Sequence, residues 1–126
     1  MTQSSRDLAD ILDELRRFVH ERDWEQFHDP KNLVMALASE VGELVAEYRW
    51  ASSSASDSLT EEPDRRLSIE KEVADVAITL LLLCDRVGID LLPAIRGKLE
   101  LNAANYPLAG ARGTPSRPPS PSEAER

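Results

Sequence analysis

The sequence predicts an all-α fold built from four helices. Apolar residues recur three and four positions apart in long segments, which is the spacing of amphipathic helices. Prolines, a glycine and a serine-rich stretch separate these segments. The alternating pattern typical of β-strands is weak throughout the chain, so we expect no sheet.

The first two helices are predicted by apolar spacing and by the residues at their ends. A first amphipathic helix is expected over 5–21, where leucine, isoleucine, phenylalanine and valine recur between charged residues. Asp29 is the predicted N-cap of a second helix, and Pro30 suits its first turn. The helical pattern then continues to Trp50.

A loop is expected between the second and third helices. Residues 51–60 are rich in serine and show no periodicity, which is typical of a mobile surface loop. The third helix is predicted to begin at Glu61 or Pro63 and to end at Val87, where Gly88 can adopt the left-handed cap conformation.

The fourth helix is predicted over 91–105. Asp90 stands at its expected N-cap, and Pro107 ends it. Residues 1–109 therefore form one predicted domain. Residues 110–126 contain four prolines and two glycines but no branched aliphatic or aromatic side chain, so they are expected to form a disordered tail.

Composition restricts the classes of partner and compartment. A net charge of −8 disfavours nucleic-acid binding, and it means that a polyanionic substrate would need divalent cations to screen its approach. The N-terminal residues are polar, and the longest apolar run is far too short to span a membrane. The single Cys84 lies in that apolar run and fits a core position in a reducing compartment, so we expect a cytoplasmic protein.

The third helix also indicates self-association. From Val76 to Leu83 it is apolar around much of its circumference, as expected of a helix buried on several sides. A monomer of this size would leave part of that surface exposed, which favours a homo-oligomer. A central helix within a monomeric bundle is the alternative.

Two pairs of carboxylates are the strongest candidates for chemistry. Glu40 and Glu43 are three apart on the second helix, and Glu72 and Asp75 are three apart on the third, so each pair shares a helix face. Apolar neighbours surround both pairs, and a charge in such a setting is costly unless it is paired or binds metal. If the two helices pack antiparallel, four carboxylates converge, and this ligand set suits Mg²⁺ or Mn²⁺. The alternative is two solvated acidic faces. Glu47 is either an outer ligand, a general base or a solvated residue.

These motifs resemble a known family. The pattern Glu40-x-x-Glu43, a gap of 28 residues and then Glu72-x-x-Asp75 is similar to the signature of the MazG-like all-α nucleoside triphosphate pyrophosphohydrolases. The segment 21–28, of sequence ERDWEQFH, resembles the corresponding stretch of the dCTP pyrophosphatases. The resemblance extends over about 8–107.

The resemblance implies a fold, an activity and a set of site residues. It implies a four-helix protomer in a homodimer or homotetramer, with Mg²⁺ bound by the four carboxylates and dCTP or a modified dCTP hydrolysed to the monophosphate and pyrophosphate. It further implies a nucleoside pocket and a phosphate-side pattern on the fourth helix. The implied nucleoside residues are Trp24, Glu25, Gln26, Phe27, His28 and Trp50, and the implied phosphate residues are Lys98, Asn102 and Tyr106.

Other interpretations stay open at this point. Without the family, Trp24 and Trp50 fit either packing or base stacking, and His28 fits either a local hydrogen bond or substrate contact. A broader or dUTP-preferring pyrophosphohydrolase, or one acting on phosphoribosyl-ATP, would use similar carboxylates. A non-catalytic acidic helical module that contacts a basic partner would need no metal.

Overall fold

The computed structural model describes residues 3–115. Most of these residues are helical, as the sequence predicts. Within that range the chain forms six α-helices and two short 3₁₀ turns, with no strand. The α-helices are α1 (Gln3–Glu21), α2 (Pro30–Tyr48), α3 (Ser53–Ser56), α4 (Pro63–Val87), α5 (Leu91–Asn105) and α6 (Leu108–Ala111). The 3₁₀ turns are Glu25–Phe27 and Leu59–Glu61. None of the helices in the described range is long and apolar enough to cross a bilayer.

The helix ends form as their residues dictate. The Asp29 carboxylate accepts a hydrogen bond from the Asn32 backbone N–H at 2.9 Å, which confirms the predicted N-cap of α2, and Pro30 occupies the first turn. Gly88 ends α4 with a φ of 74°, the left-handed conformation that favours glycine. The predicted cap at Asp90 is wrong in one respect, because its side chain makes no capping hydrogen bond although its backbone is extended.

The segment between α2 and α4 is more ordered than predicted. Helix α2 ends at Tyr48 rather than Trp50. The Ser52 hydroxyl then accepts from the Ala55 backbone N–H and caps the short helix α3, and the 3₁₀ turn Leu59–Glu61 leads into α4. Serine is a good cap as well as a loop residue, and composition alone does not separate the two roles.

The chain separates into two compact units, one up to Ile89 and one from Asp90 onward. In the first unit α1, α2 and α4 pack together, and the buried apolar side chains of the described range are Val19, Leu33, Ile69, Leu81 and Cys84. The predicted core position of Cys84 is thereby confirmed. In the second unit α6 includes residues 110 and 111, where the tail is predicted to begin. Residues 112–115 of the predicted tail form no helix or strand, and its remaining part, 116–126, lies outside the described residues.

Candidate functional site

The four predicted carboxylates meet on facing sides of α2 and α4. One oxygen from each of Glu40, Glu43, Glu72 and Asp75 lies within 4.8 Å of the others. The three-residue spacing within each pair places both members on one helix face, and the antiparallel packing of the two helices brings the pairs together. We call this group the carboxylate cluster.

Two of these carboxylates are partly covered by protein. Glu40 and Glu72 are half-buried, whereas Glu43 and Asp75 are exposed. One oxygen of Glu40 and one of Glu72 are buried and have no hydrogen-bond partner within the described residues. Buried polar atoms are satisfied in nearly all folded proteins, so these orphaned oxygens indicate a ligand that supplies the missing interaction.

Burial and the neighbouring negative charges both raise pKa values within the cluster. Burial raises the pKa of Glu40 above its ordinary value, and the negative charges of Glu43 and Asp75 raise it further. Burial also raises the pKa of Glu72, followed by its interaction with Glu43. No lysine, arginine or histidine of the described range forms an ion pair with any of the four carboxylates. The cluster therefore lacks a protein cation and fits one or more hard divalent cations.

Glu47 lies one helical turn beyond Glu43 and is largely covered by protein rather than solvated, while the roles of outer ligand and general base stay predictions. Its side chain is 16% exposed, and it accepts hydrogen bonds from the Ser68 hydroxyl at 2.6 Å and from the Arg65 guanidinium at 3.3 Å. Arg65 and Ser68 both belong to α4. Glu47 therefore joins α2 to α4 beside the carboxylate cluster and is not one of its members.

The segment Trp24–His28 forms a compact turn between α1 and α2. Asp23 precedes it with a φ of 53°, which an aspartate tolerates. The Trp24 ring makes an edge contact with Phe18, at 5.6 Å between centroids, and lies 6.4 Å from the His28 ring. Trp24 thus packs against Phe18 of α1 and lies near His28, while its own side chain stays 42% exposed.

Hydrogen bonds from α2 and α4 fix the backbone of this turn. Arg86 of α4 donates to the Glu25 carbonyl oxygen, and Asn32 of α2 donates to the Phe27 carbonyl oxygen, each at 3.1 Å. The Gln26 amide donates back to Asp23, and Glu25 contacts His20. Most polar groups of the segment are therefore engaged within the protein.

His28 and Glu25 are the residues of the turn that border open space between helices. Both line a cavity of about 250 Å³ whose walls come from α1, α2 and α4. Other lining residues are Val19, Leu33, Leu82 and Arg86. The position allows contact with a small ligand, which keeps the predicted substrate role of His28 open.

Trp50 lies at the other end of α2, apart from Trp24. Its side chain is 85% exposed, and the Arg49 guanidinium lies 5.2 Å from its ring centroid. The ring borders a groove of about 340 Å³ between α2 and the start of α4, which we call the Trp50 groove. Its lining includes Ala46, Glu47, Ala51, Ala55, Leu59 and Arg65. The two tryptophans that the family resemblance assigns to one nucleoside pocket are therefore separated by the 19 residues of α2, a helix roughly 28 Å long.

The predicted phosphate-side residues belong to the second unit. Lys98 and Asn102 are four apart on α5, and Tyr106 is the C-cap residue of that helix. The Tyr106 backbone N–H donates to the Asn102 carbonyl oxygen at 2.8 Å. The four-residue spacing puts Lys98 and Asn102 on one face of α5. The phosphate-binding role of these two residues and of Tyr106 stays a prediction.

The residues that hold the site together were not identified from the sequence. Arg65 and Ser68 stand seven and four positions before Glu72, so their spacing already places them on the face of α4 that carries the cluster. Their contact with Glu47 depends on the register between α2 and α4, which spacing along one helix does not give. The sequence pattern does not identify Arg86 as a site residue, because Arg86 donates to the backbone carbonyl of Glu25 and not to a side chain.

Comparisons with known proteins place these features in context. The chain is 39% identical over 107 residues to dCTP pyrophosphatase 1 of Rattus norvegicus and 38% identical to that of Homo sapiens. Each match covers 82% of this chain and 63% of the relative, so the chain spans less than two thirds of the length of these curated relatives. A solved structure of a pyrophosphatase from Archaeoglobus fulgidus matches with a TM-score of 0.76 and 38% identity, covering 80% of this chain and 93% of that one. No family model matches the sequence.

Proposed function

The chain belongs to the MazG-like family of all-α pyrophosphatases, and on that premise we propose that it is a Mg²⁺-dependent pyrophosphohydrolase that converts dCTP, or a modified dCTP, and water to dCMP and pyrophosphate. The observation that carries the proposal is the carboxylate cluster, four acidic side chains within 4.8 Å of one another and without a basic partner in the described range. The names of the curated relatives supply the substrate. The proposed location of the substrate is the deoxynucleotide pool of the cytoplasm.

The cluster is the proposed metal site. Glu40, Glu43, Glu72 and Asp75 would hold Mg²⁺, with Mn²⁺ as a substitute, because carboxylate oxygens are the ligands these hard cations prefer. The orphaned oxygens of Glu40 and Glu72 are the atoms whose missing interaction a cation would supply. When bound, such cations neutralise phosphate charge and lower the pKa of water near the reacting phosphorus.

The protein side chains contribute positioning and charge. The exposed members, Glu43 and Asp75, face solvent, the side from which a nucleotide enters, while the half-buried Glu40 and Glu72 anchor the site to the two helices. A triphosphate is repelled by the protein's net charge of −8 unless cations precede it or accompany it. The reaction breaks one P–O bond of the bridge between the α- and β-phosphates, and one water molecule supplies the oxygen and hydrogens that complete dCMP and pyrophosphate.

The nucleoside is proposed to contact aromatic residues at the ends of α2. Trp50 is exposed and free to stack on a base, and Trp24 and His28 offer a second aromatic surface. Glu25, Gln26 and Phe27 form the turn that carries this second surface. Lys98 and Asn102 of α5 and Tyr106 at its C-cap are the proposed contacts for the phosphates.

A second copy of the chain is needed if both tryptophans serve one nucleoside. The length of α2 prevents one base from contacting Trp24 and Trp50 of the same copy. Large apolar side chains are also exposed on the two helices that carry the cluster, among them Val34, Met35 and Val45 on α2 and Leu67 and Val73 on α4. Their burial in a homodimer or homotetramer would remove this surface from water and bring a tryptophan from each copy to one site.

A panel of nucleoside triphosphates tests the proposal. Pyrophosphate release is measured for each nucleotide with Mg²⁺, with Mn²⁺ and with a chelator. We expect metal-dependent release of pyrophosphate with dCTP preferred. Activity on many nucleotides or a preference for dUTP would support the broader members of the same class. If no nucleotide is hydrolysed and neither metal nor nucleotide raises the melting temperature, the chain is a non-catalytic helical module.

A further inference from the structure

The Trp50 groove combines an apolar lining with one charged pair. Ala46, Ala51, Ala55 and Leu59 provide small apolar surfaces beside the exposed Trp50 ring. The charged members of its lining are Glu47 and Arg65, which contact each other at 3.3 Å. A flat ring with a polar edge suits such a groove, because the ring can stack while its edge meets the charged pair.

The groove adjoins the carboxylate cluster along both helices. Glu47 follows Glu43 by one turn of α2, and Ser68 precedes Glu72 by one turn of α4. Glu47 is therefore roughly 6 Å, and Trp50 roughly 10 Å, beyond Glu43 along the axis of α2. A sugar and one phosphate can bridge this interval, so a base in the groove leaves its phosphates at the cluster.

The charged pair retains hydrogen-bonding capacity. One oxygen of Glu47 accepts from Ser68 and the other from Arg65, and each carboxylate oxygen has a further lone pair. The Arg65 guanidinium has five N–H groups, one of which is donated to Glu47. The pair thus offers an acceptor and several donors next to each other.

Cytosine and uracil differ in the order of hydrogen-bond donors and acceptors along the edge of the ring. Cytosine presents a 4-amino donor beside two acceptors, N3 and O2. Uracil presents a 4-oxo acceptor and an N3–H donor. A carboxylate next to a guanidinium matches the first pattern and opposes the second, since the 4-oxo group would face a carboxylate and the N3–H would face a cation.

We propose that the Glu47–Arg65 pair is the specificity determinant for cytosine in the Trp50 groove. Glu47 accepts a hydrogen bond from the 4-amino group, Arg65 donates to N3 or O2, and Trp50 stacks on the ring. The assignment rests on the proposed function and adds to it the groups that separate dCTP from dUTP. The Trp24–His28 turn is less suited to this task, because the Glu25 carbonyl oxygen already accepts from Arg86 and from the His28 backbone N–H.

The test compares dCTP with dUTP in Glu47→Gln. A glutamine amide keeps the shape and can donate to a 4-oxo group, so the ratio of kcat/KM for dCTP over dUTP should fall by roughly tenfold or more. Glu70→Gln is the matched control, since Glu70 also pairs with an arginine of α4, Arg66 at 3.1 Å, but outside the groove. The control should keep the wild-type ratio.

A bridging role alone gives a different result. If Glu47 only ties α2 to α4, Glu47→Gln and Ser68→Ala lower kcat/KM for both nucleotides by the same factor, and the proposal is wrong. If Glu47→Gln does not fold, Arg65→Gln provides the same readout, since the Arg65 side chain is 43% exposed. A wild-type enzyme that prefers dUTP also overturns the proposal. Absence of any pyrophosphate release from wild type would instead contradict the proposed function.

Discussion

Trp24 and Trp50 lie at opposite ends of α2, the helix that carries Glu40 and Glu43 near its middle. A nucleoside bound at Trp50 of one copy can meet Trp24 only from a second copy.

Subunit mixing tests this composite arrangement. Trp24→Ala and Glu43→Gln chains are each expected to be impaired alone. When they are co-assembled, a mixed dimer contains one intact site, which combines the cluster of the first chain with Trp24 of the second. Pyrophosphate release should therefore recover to about a quarter of wild type in a random mixture. A mixture no more active than the average of its two parents would show that Trp24 does not act across subunits.

The carboxylate cluster predicts variants that lose activity without losing the fold. Glu43→Gln or Asp75→Asn removes one ligand charge and keeps the side-chain shape, so kcat should fall by at least roughly 100-fold. Melting of the metal-free protein should be unchanged or shifted upward, because one repulsive charge is gone. Full activity in either variant, measured as pyrophosphate release at saturating Mg²⁺, would refute the metal assignment.

The raised pKa values of Glu40 and Glu72 predict how stability depends on pH. A carboxyl group with a raised folded pKa binds its proton more tightly in the native state than in the unfolded chain. The metal-free protein should therefore lose stability as pH rises from the ordinary value of about 4.5 through the raised values. Melting temperature measured against pH in chelator should show this decline, and Glu40→Gln should weaken it. Excess Mg²⁺ should remove it, because the cation stabilises the ionised carboxylates. If the melting temperature in chelator does not change with pH, the raised pKa values of Glu40 and Glu72 are contradicted.

The parts of this structure that sequence predicts are those fixed by local chemistry. Asp29 and Pro30 mark the start of α2, and Gly88 marks the end of α4, because caps act on their own helix. The convergence of Glu40 and Glu72 was also predictable, since each pair shares a face and the connection permits antiparallel packing.

The parts that escaped prediction depend on register between elements. The partner of Glu47 is fixed by how α2 slides against α4, and a shift of one turn would pair it with another residue. The separation of Trp24 from Trp50 follows from the length of α2. The family resemblance assigns both residues to one pocket and gives no information on this distance. A family resemblance assigns residues to a site but does not state which subunit of an oligomer supplies each residue.

Trp50→Ala separates stacking from base recognition. Because the ring is 85% exposed, its loss should leave the melting temperature nearly unchanged. Loss of a base-stacking surface should cost roughly 1 to 3 kcal/mol of substrate binding, seen mainly as a raised KM with kcat preserved. Every base has a ring face, so the binding of dCTP and the binding of dUTP should weaken by the same factor. The ratio of their kcat/KM values should therefore stay near that of wild type. His28→Ala, measured alongside, should change KM without changing this ratio if discrimination resides in the Trp50 groove. A ratio that falls in His28→Ala but holds in Glu47→Gln would instead locate cytosine recognition at the Trp24–His28 turn.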